Sequence, residues 1–380
     1  MIRSCWYALG FSGELRPGEL GGHVIAGRPV VSWRSSSGEV VALDARCAHK
    51  RFPLWDGKLL DSGVLECAYH GFCYDADGLC VAIPALHDRS DRIPATARQH
   101  KFPVVEQDGV VWIWPGDPAR SGEMAVPATP EIASPLWETL RTEPMEVEAS
   151  YRLLIENLFD LTHFYPLHNG NIGSLADAAV PVRIERDIER RVLRTIRRRE
   201  SFVLPPMTRD RFGMEIADQV QIHEMVGPGL FRVWVGVAPP GELGTDSELG
   251  FVLHQTITPV TAGRHVWRRA TSCRVGTRWS GNPESSLVEA IVSGAPTVIE
   301  QDRWAIERQQ AMLAFPDEGY REVHIKTDGA VVMARRMLDD LESAESGGTP
   351  CEEPSHTRSQ RNRATRDLGA AAAGLASSDA

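Results

Sequence analysis

Two short pairs of ligand-type residues lie in the first part of the chain: Cys47-Ala48-His49 and, after seventeen further residues, Cys67-Ala68-Tyr69-His70. Thiolates and neutral imidazoles bind borderline-soft metals. Two of each could hold a tetrahedral structural zinc, or a [2Fe–2S] cluster with Cys on one iron and His on the other. The options differ in how the pairs are built. Zinc fingers usually pair Cys with Cys and His with His, whereas here each loop brings one of each and can reach across two irons. Imidazole in place of thiolate removes negative charge and raises a cluster's potential, which suits an acceptor of electrons. Cys73 and Cys80 fall outside the four-ligand pattern and read as small buried residues, while Cys5, Cys273 and Cys351 are scattered.

A second dense group runs from Asn157 to His168, Asn-Leu-Phe-Asp-Leu-Thr-His-Phe-Tyr-Pro-Leu-His. On a helix Asp160 and His163 share a face, but His163 and His168, five apart, do not. Pro166 is expected to kink or end the helix, so that His168 swings round to the same ion. Two neutral imidazoles and a carboxylate make the facial triad that holds Fe(II) with open positions for O2 and substrate. The residues alone leave the carboxylate open. Asp160 is local, and Glu300, Asp302 and Glu307 lie in a late acidic helix whose start is expected near Pro296.

The flanks of the first constellation, Lys50-Arg51-Phe52-Pro53-Leu54 and Gly71-Phe72-Cys73-Tyr74-Asp75 through Gly78, Ile83 and Pro84, complete a pattern that resembles the Rieske motif. Residues 157–168 resemble the mononuclear iron motif of Rieske non-haem iron oxygenases. The similarity runs from Trp6-Tyr7 to about Leu341, and the branch it resembles is the oxygenase component of the vanillate O-demethylase and dicamba monooxygenase type. Ala48 and Lys50 depart from it, standing where many relatives carry Pro and Arg.

This resemblance implies a [2Fe–2S] cluster on Cys47, His49, Cys67 and His70, and one Fe(II) per subunit on His163, His168 and Asp302. It makes Asp160 a catalytic bridge from His163 to His70 of the partner subunit in a head-to-tail homotrimer. Asn157 is expected near the iron or the substrate. The implied function is that of a terminal oxygenase, served by a ferredoxin and/or flavin reductase with electrons from NAD(P)H. It would demethylate or hydroxylate a small, aromatic organic molecule. Tailoring of a secondary metabolite and ring dioxygenation are the alternatives in the same family. A zinc-stabilised binding protein or a simple electron-transfer ferredoxin lies further off, since a ferredoxin would need only the first 118 residues. No residue identified this way fixes the substrate, and Trp234, Trp267 and Trp304 are expected mostly to pack the core.

The elements that must position these residues form an α+β chain. Residues 1–118 alternate short β-rich runs with Gly-, Pro- and Ser-rich turns, as an all-β Rieske domain would. Residues 119–145, rich in Pro, suit an extended connection within a catalytic domain spanning 119–342, for which the resemblance implies a helix-grip fold, a curved antiparallel sheet with helices. From residue 343 to 380 aromatics vanish and small polar residues dominate, which reads as a disordered tail. Lys plus Arg is 41 against 51 for Asp plus Glu among 380 residues, a net charge of −10 that repels phosphate backbones and anionic membranes, so nucleic acid is not an expected partner. No apolar run reaches the length of a membrane span, and no signal peptide is read at the N-terminus, so the expected location is the cytoplasm.

Overall fold

A computed structural model describes residues 1–346 of the chain, apart from positions 88 and 179. The N-terminal part is built of tight antiparallel hairpins. Ala26-Gly27 closes one with both residues at positive φ (47° and 75°), joining Gly21–Ile25 to Arg28–Arg34, and Val40–Asp44 adds a third strand. Asp108-Gly109 does the same (φ 53° and 78°) between Val104–Gln107 and Val110–Ile113. Two positive-φ residues give the turn a twist that matches the strands it connects. The short strands Lys58–Leu59, Leu65–Glu66, Cys73–Tyr74 and Cys80–Ala82 form a further, four-stranded sheet. Trp33, Leu43, Leu54, Leu65 and Tyr74 pack one core around Cys47 and Cys67, and Cys73 and Cys80 are buried as expected.

The C-terminal part is an antiparallel sheet in the order Trp137–Arg141, Arg264–Arg274, Leu249–Thr261, Leu230–Ala238, Ile216–Val226, Val192–Val203, Arg183–Asp187, with Met145–Val147 also on Arg264–Arg274. Helices Tyr151–Phe159, Leu287–Met312 and Gly329–Glu345 pack together against it. The fold class is α+β, all-β first and sheet-with-helices second. Trp6, Trp112 and Trp114 join the two parts through Leu230 and Ala270 of the large sheet.

Four local expectations are corrected. The helix after Ser150 ends at Asp160, six residues before Pro166, because Asp160 leaves the helical region (φ −83°, ψ 94°) and its side chain caps the next turn. Pro166 then sits inside the short helix Phe164–His168, within the first turn where its missing N–H costs nothing. The late helix starts at Leu287, not near Pro296: Ser286 accepts from the Glu289 amide and Glu289 accepts from the Ser286 amide, a capping box that sets the start nine residues earlier, and Pro296 lies inside the helix. Trp137–Arg141 and Met145–Val147, expected as linker, are edge strands of the large sheet bracketed by Pro135 and Pro144. Residues 343–345, where a tail was expected, continue the last helix, and positions 347–380 of that expected tail lie outside the described residues.

Candidate metal centres

The two Cys/His loops have the same backbone. In the first, the Cys47 amide donates to the Phe52 carbonyl (3.0 Å) and the Arg51 amide to the Cys47 carbonyl (2.8 Å); in the second, Cys67 donates to Phe72 (2.9 Å) and Gly71 to Cys67 (2.9 Å). The fifth residue of each is left-handed, Arg51 at φ 57° and Gly71 at φ 68°. Both cysteines are buried, and His49 and His70 stand exposed beside them. The histidines face each other through Nδ1, 3.1 Å apart, which turns each Nε2 to the outer edge of the pair. His49 also stacks on Phe72, with ring centroids 4.8 Å apart.

Two nitrogens that close, on rings each held by its own loop, fit two imidazoles serving one iron. The thiols fit as well. Burial, with Cys47 adding to it, pushes the Cys67 thiol up, so a thiolate there needs a bound cation to compensate it. Desolvation, His70 and Lys50 hold His49 below the usual imidazole range, leaving its ring neutral and able to ligate.

The second centre assembles from three elements. His163 ends the turn Leu161–His163, His168 ends the helix Phe164–His168, and Asp302 faces inward from Leu287–Met312. One ligand atom from each lies within 4.8 Å of the others. Asp302 Oδ1 is 3.1 Å from His168 Nε2 and 3.5 Å from His163 Nε2, and Asp302 and His168 are buried. Glu300 instead pairs with Arg303 (2.9 Å) at the surface, and Glu307 accepts from the Glu148 amide (3.1 Å). The opposite side of each histidine differs. His168 Nδ1 is 2.8 Å from Gln301 Oε1, whereas His163 Nδ1 is buried with no described hydrogen-bond partner. Asn157 Nδ2 donates to Asp302 Oδ1 (3.2 Å). Burial lowers the pKa of His163 against the pull of Asp302, whereas at His168 Asp302 and Gln301 overcome burial and raise it. Two Nε2 atoms turned to one buried carboxylate oxygen fit a single divalent ion.

Asp160 is not in that cluster. Its Oδ1 accepts from the Thr162 amide (2.9 Å) and hydroxyl (2.5 Å), so within one chain it caps the turn that carries His163. Gln301 went unnoticed in the sequence, where no spacing rule distinguishes it from other polar residues on the helix.

The three side chains border a cavity of roughly 1210 Å³, part of it open to solvent, between the concave sheet and the long helix. The strands supply alternate residues, among them Gln219, Gln221 and His223 on one and Leu253 and Gln255 on another, as a period of two demands. Its walls are mostly apolar, with Phe164, Phe212 and Phe251 among them. None of Trp234, Trp267 and Trp304 lines it; Trp267 is fully buried elsewhere and Trp304 is 57% exposed.

Residues 5–103 match the Rieske [2Fe-2S] domain, and residues 147–344 match the vanillate O-demethylase oxygenase C-terminal domain. The chain belongs to the Rieske oxygenase family. It is 32% identical over 359 residues to a toluene-4-sulfonate monooxygenase system iron-sulfur subunit of Comamonas testosteroni, covering 92% of this chain and 99% of the relative. A vanillate O-demethylase oxygenase subunit of Pseudomonas sp. is 32% identical over 338 residues, covering 85% of this chain and 96% of that one. The crystal structure of dicamba monooxygenase bound to dicamba superposes with a TM-score of 0.80 at 26% identity, over 91% of this chain and 99% of that chain. Another dicamba monooxygenase structure, with non-heme iron and dicamba, has a TM-score of 0.74 at 25% identity. This oxygenase is therefore an oxidoreductase that uses a Rieske [2Fe–2S] cluster and non-haem iron. No described helix is long and apolar enough to cross a membrane.

Proposed function

We propose that this chain is the terminal oxygenase of a multicomponent monooxygenase, demethylating or hydroxylating a small aromatic molecule in the cavity. A reductase or ferredoxin would feed it electrons from NAD(P)H, and the assembly would be a homotrimer in the cytoplasm. The observation that carries the reading is the convergence of His163, His168 and Asp302 on one point at the wall of an apolar, aromatic-lined cavity. The relatives support the substrate class, being named for toluene-4-sulfonate, vanillate and dicamba.

Cys47, His49, Cys67 and His70 would hold the cluster, and His163, His168 and Asp302 the Fe(II). When bound, the cluster supplies single electrons and the iron supplies O2 activation. The protein's own work is positioning. Gln301 accepts from His168 Nδ1–H, which would leave Nε2 to turn its lone pair to an ion shared with Asp302, and Asn157 fixes the carboxylate from the other side. The cavity's apolar walls exclude water and hold the ring beside the metal face. Asp160 would accept from His163 Nδ1 and from His70 of the partner subunit. That bridge is supported by the unmet His163 Nδ1, by the outward Nε2 edge of His70 and by Asp160 Oδ2, which is unengaged among the described residues.

The test is Asp302→Ala. It should lose the mononuclear iron, about one of three iron atoms per chain, and all substrate-dependent O2 uptake, while the Rieske spectrum stays. Loss of that iron from Glu300→Ala with retention in Asp302→Ala would overturn the ligand assignment.

A further inference from the structure

The catalytic cavity is continuous with a shallower cleft. Thr142, Arg269, Val292, Ala295 and Ile299 line both, and so form the neck between them. Arg269 is the cation at that neck. Its strand partner is Gln255, another cavity residue, and its side chain lies over the Trp267 ring, 5.0 Å from the centroid.

Among the described residues no carboxylate pairs with the Arg269 guanidinium. Its one hydrogen bond is weak, from Nη1 to Met145 Sδ at 3.8 Å. The carboxylates of the cleft are engaged or turned outward: Glu300 on Arg303 (2.9 Å), Glu146 on Arg264 (3.4 Å), and Glu143 exposed. Glu300 is felt by Arg269 as a charge but does not reach it, and burial works against the guanidinium's charge. Arg211, the other cationic wall residue, is by contrast paired with Asp210 (2.7 Å). Beside Arg269, the Thr142 amide donates to the Arg269 carbonyl (3.1 Å), and the Thr142 hydroxyl is buried with no partner.

A partly desolvated guanidinium without a counter-ion is costly, and its planar fork matches a carboxylate or sulfonate in two parallel hydrogen bonds. We propose that Arg269, with the Thr142 hydroxyl, is an anion subsite at the neck of the cavity, and that the natural substrate is an aromatic acid held there by its carboxylate or sulfonate. Bound so, the acid's ring lies in the apolar cavity and its distal substituent points away from the neck. The inference rests on the cavity being the site of oxygenation.

The test is isothermal titration of the full-length, metal-loaded protein under anaerobic conditions. The probes are 4-methoxybenzoate, 3-methoxybenzoate and benzenesulfonate, set against methyl 4-methoxybenzoate and 4-methoxybenzamide. The acids should bind at least tenfold tighter than the neutral probes. Arg269→Gln should bring the acids down to the neutral level while changing neutral binding less than twofold, Arg269→Lys should recover part of the acid preference, and Thr142→Val should weaken the acids alone. Equal binding of acids and neutral probes, failure of every acid to bind, or equal loss of both classes in Arg269→Gln overturns the subsite. If Arg269→Gln does not fold, as judged by iron content and Tm, Arg269→Lys and the wild-type ratio decide. Acid binding that depends on Arg269 but never elicits O2 uptake would uphold the subsite and count against the proposed oxygenation instead.

Discussion

Tyr74 shows how much one hydroxyl can bear on a metal centre. Its Oη lies 3.3 Å from Cys47 Sγ and accepts from the Ala48 amide at 3.2 Å. Burial and the nearby Cys47 push its phenol pKa well up, so it remains a donor throughout the working pH range. A donor to a cluster thiolate stabilises the reduced, more negative state. Tyr74→Phe should therefore lower the midpoint potential of the cluster without loss of iron, as read by a redox titration followed by electron paramagnetic resonance. An unchanged potential would mean that the hydroxyl does not act on the sulfur. Polar contacts around Asp302 work on the same scale: Asn157 holds Asp302 and Gln301 holds His168, and each aims a side chain that would ligate the iron.

The two ligand loops are elements with one backbone and two sequences. Both need a left-handed residue at the fifth position, which an L side chain occupies at a cost of roughly 1–2 kcal/mol. Arg51 bears that cost in the open, but at Gly71 a Cβ would also lie 2.6 Å from Pro84 Cγ. Gly71→Ala should thus distort the Cys67 loop and lower cluster occupancy, measured as absorbance per chain, while Arg51→Gly should keep full occupancy and raise stability by about 1 kcal/mol. Equal occupancy in wild type and Gly71→Ala would show that the loop can yield at Pro84. The long helix illustrates a related point. Its start is set by the Ser286–Glu289 capping box, and its length carries Asp302 across to the two histidines.

At the scale of the whole molecule, the Asp160 bridge can be separated from a ligand role. Asp160→Asn keeps the shape and its bond to Thr162 but loses the charge and one acceptor. Iron content, the Rieske spectrum and reduction by dithionite should stay normal, while substrate-dependent reoxidation by O2 collapses. Wild-type reoxidation in the mutant would refute the bridge, and loss of mononuclear iron would make Asp160 a ligand. The buried histidines set the acid limit of the fold. Burial lowers His223 and His254 to about 3 and His265 to about 4. The unfolded chain takes up these protons near the ordinary pKa of about 6.5, so stability is full above that value and falls as the pH drops toward the folded values. Each such group contributes a slope of about 1.4 kcal/mol per pH unit in this window. Urea unfolding between pH 6.5 and 5 should show His254→Leu losing stability less steeply than wild type by about that amount per unit, and parallel slopes would contradict it.

Much of the architecture was legible in the sequence because it is written locally. The Cys-x-His and Cys-x-x-His pairs and the Ser-x-x-Glu cap at 286–289 each bind neighbours a few residues apart, although Pro296 competes with the cap as a helix start. Composition and alternation likewise separated an all-β part from one that mixes strands and helices. The break at Asp160 rather than Pro166 was less visible, since an Asp inside an apolar helical run becomes a cap only when its side chain finds the amide two residues on. Tertiary structure alone decided the rest. Glu300 and Asp302 are equivalent carboxylates on paper; the rotation of the long helix against the sheet buries one beside His163 and His168 and leaves the other on Arg303 at the surface. Gln301 behind His168, and Arg269 with Thr142 at the cavity neck, meet across more than a hundred residues of chain. Such meetings depend on how whole elements pack, and no local period or spacing encodes them.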